Sequence, residues 1–371
     1  MNNNWSRRKF IIISAGAGAA LTLNPLASWA MPETDDSVKK IVAKAMGIDT
    51  HNHMDVPFNI GEFSKQQYAL ADEMKSSGLA AICMTFQVDR PRLENEGDAF
   101  QRFITSLDEM DIMLKANNMT RALTYKDVKA GQKSKSKFVV QSVEGGHFIE
   151  GKLERIKVAY DRGVRHLGLM HDGQTTPPMG DIYTDEPQFN GLTQLGIDTV
   201  KECNKQGILV DLAHCNNAAI NKAIEVSTKP MVISHTGLDS QLGKDPRMAK
   251  MMKPRLISKE QAKLFASAGG VIGVWTHLAD TPLEFAQNVR ALTDVVGTEH
   301  VCIGTDTKMA PPSNAQQERF GRKTNFSWGE STNGFMYDVV DALLKTGFSE
   351  KEILQITGGN YWRIFEKATT V

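Results

Sequence analysis

Eight apolar, β-prone runs recur along this chain, spaced widely enough for a helix between most of them, and six of the eight stop on a histidine or a carboxylate. They span residues 47–53, 79–86, 138–144, 165–171, 208–214, 231–235, 270–275 and 301–306. Intervening segments show helical spacing, as in Phe100, Phe103, Ile104, Leu107 and Leu114. Strand and helix in alternation imply parallel strands, and eight such units imply a closed α/β barrel of the TIM-like (β/α)8 type. Two further helices are expected at 337–345 and, behind a Ser349 N-cap, at 350–367, both packing outside the barrel. In such a barrel every strand ends at one rim, so the polar run-ends should meet there. Three long irregular stretches, 172–191, 236–256 and 307–334, follow strands ending on candidate residues and should shape the substrate pocket.

With 371 residues and 41% hydrophobic content, the chain can bury one large core, and no linker or internal repeat divides it. Its first 30 residues read differently: Ser6-Arg7-Arg8-Lys9-Phe10, an apolar run from Ile11 to Leu23, then Ser28-Trp29-Ala30. That order describes a twin-arginine signal peptide, leaving one domain at 31–371 with a periplasmic address. Cleavage removes Arg7, Arg8 and Lys9 and no acid, so 43 bases against 43 acids become 40 against 43. A balance near −3 gives no reason to expect nucleic acid or an anionic membrane as partner. Cys83, Cys203, Cys215 and Cys302 follow no disulfide or zinc spacing and are expected to be free and buried.

The run-ends carry the chemistry. His51 and His53 lie two apart on a strand, so both rings face one side and can share a metal ion. Glu144, followed by Gly145-Gly146, can bridge two cations, while His214 and His235 close successive strands as ligands for a second ion. Asp306 can bind one metal and accept the proton of the attacking water, and His171 can donate to the oxyanion of a tetrahedral intermediate. Two ions about 3.5–4 Å apart would bring a shared water toward a pKa of about 7, giving hydrolysis by a metal-bridged hydroxide. His147 is expected just behind the ligands, His166 and His300 in structural roles, and His277 has no assigned role.

These runs, with Gly163-Val-Arg-His-Leu-Gly-Leu-Met-His171, Gly191-Leu-Thr193, Gly269-Gly-Val-Ile-Gly273 and Gly358-Gly-Asn360, resemble the membrane (renal) dipeptidase family of zinc peptidases. The resemblance implies two Zn2+ ions, a small dipeptide-like substrate, tolerance of a D-residue at its C-terminal position, and a homodimer. It also implies an arginine holding the substrate carboxylate, matched here by Arg255, with Arg247 as its rival. Three departures stand out. The family's His-x-Asp on the first strand is His51-x-His53 here, unless the pair is His53 with Asp55; Thr307-Lys308-Met309 replaces an acidic continuation; and Leu256 stands where Asn is common. No lipid-anchor signal is expected at the C-terminus. Alternative readings are a barrel hydrolase for a phosphoester, lactone or N-acyl amino acid, or a non-catalytic periplasmic binding protein.

Overall fold

The computed structural model describes residues 35–54, 69–309, 322–329 and 333–370; the signal segment and Asp55 lie outside them. Among the described residues nine strands form one parallel sheet: β1 (Ile48–His53), β2 (Ala81–Gln87), β3 (Thr120–Arg121), β4 (Phe138–Glu144), β5 (Val164–Gly168), β6 (Leu209–Asp211), β7 (Val232–Thr236), β8 (Val271–Val274) and β9 (Val301–Ile303). Their order is β1-β2-β4-β5-β6-β7-β8-β9, with β3 a two-residue stub beside β4 that the sequence pattern did not announce. The ring closes where the chain beyond β9 returns to β1. Asp306 N donates to His51 O at 3.1 Å and His53 N to Thr307 O at 2.8 Å. The expected eight-stranded TIM-like barrel is what forms, because strands buried on both faces need near-continuous apolar sequence.

Several strands are shorter than their apolar runs. β5 stops at Gly168 and β6 at Asp211, so His171 and His214 stand three residues beyond the sheet. His214 and Asp306 adopt left-handed φ values of 67° and 56°, uncommon for residues with a side chain. Cys215, next to His214, packs into the apolar core, and all four cysteines are free and buried as expected.

The C-terminal helices need one correction. Phe335–Lys345 packs outside, against the helix Pro282–Val296, and Ser349 forms the expected N-cap with a capping box to Glu352. The last helix, Asn360–Thr369, instead lies across the N-terminal mouth of the barrel. Its Tyr361, Trp362 and Phe365 join Ile48, Ala81, Phe138, Leu209, Val232 and Val271, the first residues of six strands, in one apolar cluster. Amphipathic spacing shows that a helix buries a face, not which surface receives it. The Gly358-Gly-Asn360 motif sets this approach: a Cβ on Gly358 would sit 2.1 Å from Met46 O, and Asn360 Nδ2 donates to Thr298 O (2.6 Å) and Val301 O (2.8 Å).

Candidate active site

All six residues read as ligands converge at the C-terminal rim. His51 and His53 bring their Nε2 atoms within 3.3 Å of each other, and His53 Nε2 lies 2.7 Å from Asp306 Oδ1. Glu144 ends β4 with Oε1 2.8 Å from His214 Nε2, 3.4 Å from His51 Nε2 and 3.7 Å from His235 Nε2. His214 and His235 face each other through Nε2 atoms at 3.1 Å. Their ligand atoms, with that of His171, fall into three overlapping groups, each within 4.8 Å: His51, His53 and Asp306; His51, Glu144 and His235; Glu144, His171 and His214.

This donor set fits divalent cations. Imidazole nitrogens at such separations put lone pair against lone pair unless a proton or cation lies between them, and Glu144 Oε2 is a buried oxygen without a hydrogen-bond partner. Burial would raise the Glu144 carboxyl, but His171, His51 and His53 and the hydrogen bond to His214 hold it well below the usual carboxylate range. Burial likewise opposes ionised Asp306, and His277 and His235 outweigh it. Burial and the neighbouring His235 keep His51 well below the ordinary imidazole value.

Surrounding residues fix how each ring points. Ser234 Oγ donates to Asp211 Oδ2 at 2.6 Å, so it accepts from His235 Nδ1 (2.9 Å) and more weakly from His51 Nδ1 (3.4 Å). Both rings are thereby left with Nε2 lone pairs facing the cluster. Asp89 accepts from His171 Nδ1 at 2.8 Å, which turns His171 Nε2 inward, 3.5 Å from Glu144 Oε2. His277 Nε2 lies 2.6 Å from Asp306 Oδ2, the oxygen facing away from His53. Asp172 Oδ1 (3.1 Å) and Tyr183 OH (2.8 Å) both meet His214 Nδ1.

Asp89, Asp172, Tyr183 and His277 were not singled out in the sequence. Three of them sit one to three residues past the apolar runs ending at Phe86, His171 and Trp275, and that position was the available signal. The remaining histidines behave as expected. His147 Nε2 bonds Gly173 O at 2.9 Å behind the site, His300 Nδ1 bonds Gly270 O at 2.7 Å, and His166 lies between Tyr361 OH and Asp211, each 3.1 Å away.

A cavity of about 120 Å³ opens over the cluster, lined by His53, Glu144, His171, Asp172, Tyr183, His214, His235, Met252, Arg255, Trp275 and Asp306. Arg255 reaches it, with Nη2 2.8 Å from Asp172 Oδ2, whereas Arg247 is exposed on the helix Pro246–Met252. Two of the long loops thus line the pocket as anticipated, through Asp172 and Tyr183 and through Met252 and Arg255. Of the third stretch, residues 310–321 and 330–332 lie outside the described residues, and its first three residues depart from expectation. Thr307-Lys308-Met309 is buried in the barrel seam, where Thr307 Oγ1 meets Thr305 and Thr324 hydroxyls at 2.7 Å and Met309 N donates to Asn52 at 2.8 Å. Leu256 lines a neighbouring chamber of about 220 Å³.

Mouse dipeptidase 3 (Mus musculus) is 24% identical over 307 residues, which are 78% of this chain and 54% of the mouse protein. The chain thus spans about half the length of that relative. Among solved structures, an amidohydrolase from Pseudomonas aeruginosa superposes with a TM-score of 0.71 at 20% identity, covering 90% of this chain and 99% of its own. A metallopeptidase from Rhodobacter sphaeroides, liganded with a phosphinate mimic of the dipeptide L-Ala-D-Ala, superposes with a TM-score of 0.66 at 16% identity, covering 87% and 99%. Residues 35–371 match the family model described as membrane dipeptidase (peptidase family M19), and at that coverage the chain belongs to this family.

Proposed function

We propose that the chain is a dinuclear metal-dependent dipeptidase acting on small dipeptides or related amides. The carrying observation is the convergence of five imidazoles and two carboxylates into overlapping ligand groups around Glu144 Oε2, which is buried without a hydrogen-bond partner. His51, His53 and Asp306 would hold one ion, His214 and His235 the other, and Glu144 would lie between. Zn2+ suits this nitrogen-rich set. When bound, two divalent ions supply Lewis acidity and make water a competent nucleophile near neutral pH.

The protein's own groups then divide the work. Asp306 takes the proton of the attacking water on its carboxylate, whose Oδ2 is steadied by His277, and returns it to the departing amine. His171, its Nδ1 turned to Asp89, presents Nε2 toward the developing oxyanion. Arg255 receives the free carboxylate of the substrate, consistent with a dipeptide mimic being the ligand of the Rhodobacter sphaeroides metallopeptidase. We further place the protein in the periplasm, carried by the signal at residues 1–30, and expect a homodimer without nucleic-acid partners.

The test is metal analysis of the purified chain together with a panel of dipeptides, phosphoesters and lactones. Two divalent ions per chain and turnover of dipeptides are expected. Turnover of phosphoesters or lactones alone would overturn the dipeptidase reading, and a chain that neither binds metal nor hydrolyses any of them would be a binding protein.

A further inference from the structure

We infer that Asp172 is a positioning residue that one carboxylate makes common to two halves of the site: the metal-binding His214 and the substrate-binding Arg255. This inference rests on the functional reading above. Asp172 follows His171 immediately, outside the sheet, and its two oxygens point to different partners. Oδ1 accepts from His214 Nδ1 at 3.1 Å, while Oδ2 accepts from Arg255 Nη2 at 2.8 Å and from Arg90 Nη2 at 3.3 Å.

The consequence for His214 is a fixed tautomer. With Nδ1–H committed to a carboxylate, Nε2 keeps its lone pair toward Glu144 and His235, and carboxylate–histidine pairs of this kind strengthen a metal ligand. Tyr183 OH also meets Nδ1, at 2.8 Å, but a hydroxyl is the weaker acceptor.

The consequence for Arg255 is a fixed orientation. Its Nη2 is anchored by Asp172 and its Nη1 by Met251 O at 3.1 Å, so the planar guanidinium cannot turn freely on its long stem. Two guanidiniums against one carboxylate leave one net positive charge at the cavity edge, which suits a ligand bearing a single carboxylate. A neutral C-terminus, such as a carboxamide, lacks the charge that Arg255 is held in place to meet.

The experiment compares wild-type full-length chain with Asp172→Ala and Asp172→Asn, using two readouts that need no turnover. Zinc affinity is measured by competition with a chromogenic chelator. Binding of a phosphinate dipeptide mimic, as free acid and as C-terminal carboxamide, is measured by calorimetry on zinc-saturated protein. Asp172→Ala is expected to weaken zinc binding at the site that includes His214 by about 10–100-fold. It should also shrink the preference for the free acid over the carboxamide by about tenfold, the order expected for loosening one charge-assisted contact. Asp172→Asn keeps an acceptor for His214, so it should retain more zinc affinity than Asp172→Ala while losing a similar share of the acid preference. Melting of chelated protein checks folding, and Asp172→Asn carries the test should the alanine variant not fold.

Zinc affinity within twofold of wild type in Asp172→Ala overturns the inference, as does an unchanged preference for the free acid. Loss of one effect without the other also overturns it, because the carboxylate then serves a single group. Should wild type bind zinc but not the mimic, the dipeptidase reading falls, and the zinc titration alone decides whether Asp172 supports His214.

Discussion

The two mouths of this barrel are built from the same strands and solve opposite problems. At the N-terminal mouth, Trp362 Nε1 donates to Met46 O at 2.7 Å, Asn360 ties to two carbonyls, and Tyr361 OH meets Cys83 and His166, with aromatic side chains filling the space between. At the C-terminal mouth imidazole nitrogens oppose each other at 3.1–3.3 Å, a buried carboxylate oxygen lacks a hydrogen-bond partner, and two candidate ligands, His214 and Asp306, hold left-handed backbone. Local conflict concentrated at one end and local satisfaction at the other is the signature of a site supported by its scaffold. The difference predicts that changes at the upper mouth should cost activity and changes at the lower mouth stability.

The sharpest way to break that division is Asp306→Asn. Asparagine tolerates the left-handed φ of 56°, so the backbone should be undisturbed. Loss of a proton acceptor is worth about 10²–10⁴ in rate. Turnover should therefore fall by that order while metal content and melting temperature stay near wild type. Steady-state kinetics beside metal analysis checks this, and unchanged turnover would remove Asp306 from proton transfer.

Gly358→Ala probes the other end with a smaller effect. Its Cβ would meet the Met46 carbonyl at 2.1 Å, which forces the last helix or the start of β1 to move. Overpacking of this kind costs about 1–3 kcal/mol. Denaturant unfolding should register that loss, whereas kcat of the folded fraction should remain unchanged. A drop in kcat at constant stability would show that the two mouths are coupled rather than separate.

The same contrast explains what was readable in the sequence. His53, Glu144, His171, His214, His235 and Asp306 could be picked out because each closes an apolar run, with His51 two residues before one end, and parallel strands deliver their ends to one rim. Asp89, Asp172 and His277 could not. They follow the apolar runs instead of closing them, and past a run the period-two rule no longer says which way a side chain points. The lower mouth was hidden for a different reason: the pattern of Tyr361, Trp362, Ile364 and Phe365 marks a buried helical face, but the receiving surface is assembled from six distant segments. Thr307-Lys308-Met309 was misread as a substrate loop because its role in sealing β1 against β9 depends on Asn52 and Thr324, remote in sequence.

The smallest expected effect lies in the loop that carries Asp172 and Tyr183. Asp181 is buried, and its carboxylate accepts from the backbone N–H groups of Gln188 (2.6 Å), Phe189 (3.0 Å) and Gly191 (2.7 Å). Burial opposes the charge, but these three donors prevail and lower its pKa below the ordinary value. A carboxyl depressed in the folded state stabilises it fully above the unfolded value of about 3.9 and loses that contribution as pH falls through the folded value. Asp181→Asn keeps acceptor capacity without the charge, so it should cost about 1 kcal/mol at neutral pH. The deficit relative to wild type should then narrow as the pH is lowered below about 4. Paired urea titrations at neutral and acidic pH measure both quantities. Because the loop borders the candidate metal site, the variant should also raise KM slightly, a response that Gly358→Ala at the opposite mouth should not share.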